Sequence, residues 1–130
     1  MTQNSYIVFV CEHGAAKSII AAAHFNRLAR EKYLSFRALA RGIHPDPEVS
    51  PKTIGGLRED SLVPTESIPT QLSWKDVETA QRIVSFCELP EEYRQKAIVE
   101  KWLDIPPVSE NYERSRDAIL AHLQELIGTL

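Results

Sequence analysis

Most of the features that announce a specialised protein are scarce in this chain. Only two of its 130 residues are cysteine, so a disulfide-rich scaffold is excluded. No apolar run approaches the ~18 residues needed to span a membrane. The opening MTQNSYIVFVCEH lacks the basic flank of a secretory leader, and its apolar stretch is too short for one. A cytoplasmic location is the expectation, and there Cys11 and Cys87 would be thiols. Positive charge is not in excess: 15 Lys and Arg are scattered among 18 Asp and Glu, for a net charge of −3. That balance excludes the basic footprint of a nucleic-acid binder. No C-x2-C or H-x3-H pair is present, so no metal site is expected. Internal repeats and low-complexity segments are also missing. What remains is ordinary globular composition, 43% hydrophobic and 25% charged, at a length suited to one compact domain spanning residues 1–130.

Several segments carry a clear local signal. YIVFV (6–10) is a continuous apolar run, the pattern of a strand covered on both faces. A loop over 11–17 follows, and Ser18 is placed to cap a helix reaching about Lys32. Ile19, Ala22, Ala23 and Leu28 form its apolar stripe, and His24 reads as a surface residue of it. FRALARG (36–42) predicts a second strand. Ser50 before Pro51 predicts a capped helix to about Leu62, although Gly55-Gly56 weakens that reading. SWKDVETA predicts a short helix capped by Ser73. QRIVSFC (81–87) and KAIVEKW (96–102) predict two more strands, with Trp102 in the core. A helix with Ile119, Leu120, Leu123, Leu126 and Ile127 on one side runs from about Ser109. The Pro-rich HPDPEVSP and DIPPVSE read as loops. Strands alternating with helices argue an α/β protein with a parallel sheet. Ligands of such sheets bind beyond the carboxyl ends of the strands, where both cysteines fall.

The chemistry concentrates in CEHGAAKS, residues 11–18. A strand, a short loop and a helix N-terminus make an anion site from orphan amides and the positive end of the helix dipole. The same field favours the thiolate of Cys11, and Ser18 is placed to donate a hydrogen bond to it. Gly14, Ala15 and Ala16 leave room for backbone to wrap an oxyanion, with Glu12 and His13 completing the loop, and Gly14 suits a positive φ. The bland alternatives are a small hydrophobic residue ending a strand for Cys11, a strand-end thiol for Cys87 and a solvent-facing imidazole for His13. Tyr93 and Tyr112 fall near the expected rim, either as surface aromatics or as recognition residues.

C-x5-K-S after an apolar strand resembles the C-x5-R-S/T signature of low-molecular-weight protein tyrosine phosphatases and thiol-dependent arsenate reductases. His13 and the AAA at 21–23 resemble the reductase branch more closely. ARGIHPDPEVSPKTIGGLREDSL, RIVSFC and KWLDIPP are similar to later segments of the family, so the resemblance covers most of the chain. It implies a three-layer α/β/α fold with four parallel strands ordered 2-1-3-4. It also implies Cys11 as nucleophile, Lys17 and the 12–17 amides as holders of phosphate or arsenate, and Cys87 as a resolving thiol. Thioredoxin or a low-molecular-weight thiol would be the reductant.

Three departures bear on activity. Lys17 stands where the family has arginine, exchanging a planar fork for a point charge. The acid loop WLDIPPVSE has proline where the family's acid is expected, leaving Asp104, or Glu110, as the candidate acid. No third cysteine follows Cys87 to complete the reductases' usual relay. The expectation is arsenate reductase-like oxyanion chemistry with weak or absent tyrosine phosphatase activity. The competing expectations are a phosphatase and a catalytically impaired anion-binding or redox-regulatory relative.

Overall fold

The computed structural model describes residues 5–95 and 97–130. Strand β1 (Ser5–Cys11) lies between β2 (Phe36–Gly42) and β3 (Ala80–Ser85), and β4 (Val99–Lys101) pairs with β3. All pairings are parallel, in the order β2-β1-β3-β4. Helices α1 (Lys17–Glu31), α2 (Pro51–Glu59) and α5 (Tyr112–Gly128) pack on one face. Helix α3 (Trp74–Thr79) covers the other, and α4 (Glu91–Arg94) is a single turn. The sheet is therefore the middle of three layers, as the resemblance implies.

The unbroken apolar run of β1 is explained by the period of two. Ile7, Phe9 and Cys11 face α1 and α5, while Val8 and Val10 face Leu72 and Val77. Phe9 meets Phe25, Phe86 and Trp102 with ring centroids 6.1, 6.5 and 5.8 Å away. Trp102 is a core residue, as expected.

Several boundaries move for local reasons. Strand β3 ends at Ser85, so Cys87 lies on a turn beyond it. Strand β4 is three residues long, and Lys96, the first residue of the strand expected there, lies outside the described residues, as do residues 1–4. Helix α1 begins one residue before Ser18, without a side-chain cap, so Ser18 is free for another partner. Helix α2 starts at Pro51 with Ser50 Oγ accepting from the Thr53 amide, but stops at Glu59, and Ser61 has φ +63°. Of the glycine pair that weakened this helix, Gly56 has a packing reason. A Cβ on Gly56 would stand 2.5 Å from the Tyr112 ring. The last helix begins at Tyr112 with Asn111 as cap, three residues after Ser109.

Two side-chain expectations are corrected. Tyr112 is not at the rim: it is buried, and its hydroxyl donates to Asp60 Oδ2 at 2.8 Å. Tyr93 packs against Trp74 with ring centroids 4.8 Å apart and the planes tilted by 47°. His24 is not on the surface: it is 1% exposed, with Nδ1 3.2 Å from Arg27 and Nε2 3.4 Å from Asp60. The first turns of α1 are buried nearly all round, so a stripe argument underestimates their burial.

Burial pushes the His24 pKa below its ordinary 6.5, with Arg27 adding to the effect and Asp60 opposing it. As pH falls the unfolded chain therefore takes the proton first, and native stability drops from 6.5 downward towards the folded value. His24→Gln is expected to lessen that acid-side loss. Urea midpoints at about pH 7 and about pH 5.5 measure it, and an unchanged difference would refute it.

Candidate active site

At the end of β1 the chain turns through residues 12–16 before α1. Gly14 takes φ +61°, which an L side chain rarely adopts. Its backbone lies against Gly42 so closely that a Cβ on Gly42 would stand 2.7 Å from the Gly14 nitrogen. The carbonyls of Cys11, Glu12, His13 and Ala15 accept from the amides of Ile43, His44, Asp46 and Ser50 at 3.1, 2.7, 3.0 and 3.0 Å. With the carbonyls taken by that outer loop, the amides of 12–16 donate to no protein acceptor among the described residues. Free amides around a helix N-terminus form a concavity that favours anions.

Cys11 is 8% exposed, and its Sγ lies 3.0 Å from Ser18 Oγ, which is fully buried. The loop opens onto a cleft of about 650 Å³. Cys11, Glu12, His13, Ala15, Ala16 and Lys17 line it, while Gly14 sits behind the loop against Gly42. Cys87 lines the same cleft. Both cysteines are free thiols. Burial raises the Cys87 pKa, the Ser85 hydroxyl opposes that, and nearby Glu12 and Cys11 add to the rise. His13 lines the cleft half-exposed, its Nδ1 3.3 Å from the His44 carbonyl and 3.5 Å from Asp46.

Lys17 Nζ donates to the Ile105 carbonyl at 3.0 Å. Across the cleft Lys52 Nζ donates to the Ser109 carbonyl at 2.9 Å. Two cleft lysines thus hold the backbone of the segment that carries Asp104. The Asp104 carboxylate itself is 71% exposed and accepts from His122 Nε2 at 3.0 and 3.1 Å. That imidazole stacks on Trp102 at 4.7 Å, which fixes the direction of the pair. Asp104 does not line the cleft, where Pro107, Val108 and Ser109 stand instead. Glu110 borders a neighbouring groove beside Gly55 and Gly56. The carboxylates that do line the cleft, Glu12 and Asp46, come from other loops.

No family model matches the chain, and no curated protein does. Solved structures do. YfkJ from Bacillus subtilis matches with a TM-score of 0.84 at 19% identity, over 98% of this chain and 95% of its own. A low molecular weight protein tyrosine phosphatase from T. tengcongensis matches at 0.81 and 17% identity, over 97% and 99%. An arsenate reductase from Archaeoglobus fulgidus matches at 0.76 and 25% identity, over 94% and 98%. The chain has the low-molecular-weight phosphatase fold.

Within that phosphatase fold the sequence reading brought Cys11, Lys17, Ser18 and Cys87 to one place, and the cleft contains or adjoins all four. It did not find Asp46, Lys52 or Gly42. The first two lie in or beside HPDPEVSP, which read only as a loop. Gly42 read only as the end of a strand, and nothing local to it signals an approach to Gly14. No helix of the described residues is long and apolar enough to cross a membrane, and no His, Cys, Asp and Glu cluster among them is arranged to hold a metal.

Proposed function

We propose that this protein carries out thiol-based chemistry on a tetrahedral oxyanion, with arsenate as substrate and Cys11 as nucleophile. The observation that carries this reading is the presence of two free thiols, Cys11 and Cys87, in one cleft beside unpaired backbone amides. The Cys11 thiolate, supported by Ser18, attacks arsenic(V), and one arsenate oxygen leaves as water. The Cys87 thiolate then attacks Cys11 Sγ. The electron pair of the sulfur–arsenic bond passes to arsenic, releasing arsenite and leaving a Cys11–Cys87 disulfide. An external reductant, either a dithiol protein of the thioredoxin class or a low-molecular-weight thiol, returns two electrons to restore both thiols. A reducing cytoplasm would supply it.

This reaction needs no carboxylic acid aimed at a leaving group, whereas hydrolysis of a poor-leaving phosphate ester gains much from one. The turn of Asp104 towards His122 therefore favours reductase over phosphatase chemistry. One observation favours a second reading. Lys17 is committed to the Ile105 carbonyl, as suits an anion-binding relative with little turnover.

Thiol-coupled arsenate reduction and p-nitrophenyl phosphate hydrolysis, assayed side by side, separate these readings. Robust hydrolysis without arsenate reduction would reverse the order. If neither reaction proceeds while phosphate still raises the melting temperature, the binding-only reading stands. Lys17→Arg restores a two-pronged donor, and an increase in arsenate kcat/KM of about tenfold or more is expected. An unchanged value would mean that the lysine does not limit the reaction.

A further inference from the structure

Each thiol in the cleft has its own buried serine. For Cys11 it is Ser18. For Cys87 it is Ser85, the last residue of β3, whose side chain is fully buried. The Ser85 hydroxyl donates to the Cys87 carbonyl at 2.5 Å and accepts from the Cys87 amide at 3.2 Å, closing a tight turn on that residue. It also stands 3.6 Å from Cys87 Sγ. Strand hydrogen bonds anchor the serine from both sides. Its carbonyl accepts from the Trp102 amide at 2.8 Å, and the next amide, of Phe86, donates to the Val10 carbonyl at 2.8 Å. One side chain thus contacts the amide, the carbonyl and the sulfur of a residue that would otherwise sit on an unconstrained turn.

We propose that Ser85 is the positioning residue for Cys87, fixing its turn so that the sulfur faces the cleft and donating a hydrogen bond to that sulfur when it ionises. A serine hydroxyl has one proton and a free rotor. While Cys87 is a thiol the hydroxyl directs its proton at the Cys87 carbonyl, which accepts the hydrogen bond. When the thiolate forms, rotation about Cβ–Oγ brings the proton to sulfur, where a charge-assisted bond is stronger. The carbonyl then gives up its bond to Ser85. Nothing is oxidised or reduced in this step. The inference rests on the reading that Cys87 acts in the cleft, but its core claim concerns only the ionisation and presentation of that thiol.

The test uses the full chain carrying Cys11→Ser, so that alkylation by iodoacetamide reports Cys87 alone, read as rate against pH. Ser85→Ala removes one oxygen and is expected to raise the midpoint of that profile by roughly half to one pH unit, the size of one hydrogen bond. Ser85→Thr keeps the hydroxyl and should return the midpoint towards the parent value. In the chain with both cysteines, diamide-driven closure of the Cys11–Cys87 disulfide should slow several-fold in Ser85→Ala. An unchanged midpoint in Ser85→Ala would overturn the proposal. Equal shifts in both variants would also overturn it, because they would assign the effect to packing rather than to the hydroxyl. A shifted midpoint in a protein that reduces no arsenate would leave Ser85 in its role and remove the reductase reading instead.

Discussion

Cys11→Ser is expected to lower thiol-coupled arsenate reduction by at least about a thousandfold, since a serine hydroxyl at neutral pH is a far weaker nucleophile than a thiolate. Anion binding is expected to survive. The cradle is backbone, its carbonyls are held by the 43–50 loop, and none of those bonds involves the sulfur. Phosphate should therefore still raise the melting temperature of the variant, through its preference for the native state. The paired measurement separates chemistry from binding. If phosphate protection vanishes with activity, the substitution has disturbed the loop and the loss of turnover says little about the sulfur. If arsenate turnover persists, Cys11 is not the nucleophile.

The second large effect is expected at Gly42, which no chemical argument would nominate. A methyl group there would meet the Gly14 nitrogen at 2.7 Å and its Cα at 2.9 Å, and both are backbone atoms that cannot turn aside. Gly14 in turn holds φ +61° at the centre of the loop. Gly42→Ala must push β2 and the loop apart, and should cost about 1–3 kcal/mol by urea denaturation. Stabilisation by phosphate should largely disappear, because the amides of 12–16 would no longer converge. Gly55→Ala is the comparison. Its Cβ would meet nothing within 4 Å on helix α2, and the change should be neutral or stabilising by up to about 1 kcal/mol. Similar behaviour of the two variants would show that the contact with Gly14 is not what matters at Gly42.

The loop from Cys11 to Ser18 was legible because strand, turn and helix start are neighbours in sequence, and each has a local pattern. The strand order came from the resemblance, and the parallel pairings bear it out. The helix at Pro51 was legible from its cap and its proline, while the reason for Gly56 was not, since that reason is the ring of Tyr112. His24 was misread for a related cause. Its neighbours on α1 could not indicate that Asp60 and Tyr112 would close over the same side.

By itself the sequence determined most of the elements, though not the single turn α4 or the short extent of β4, together with the alternation that makes a parallel sheet and the thiol at the strand end before a helix N-terminus. These follow from backbone preferences and hydrophobic period, which act over a few residues. Only the tertiary structure decided which way the polar side chains point. Lys17 reaches the carbonyl of Ile105, Asp104 turns to His122 on the stacked face of Trp102, and Cys87 lines the cleft with its sulfur 3.6 Å from the Ser85 hydroxyl. A long charged side chain goes to whichever acceptor the packing brings within about 3 Å. For Lys17 that acceptor belongs to a distant loop, and no local pattern encodes it.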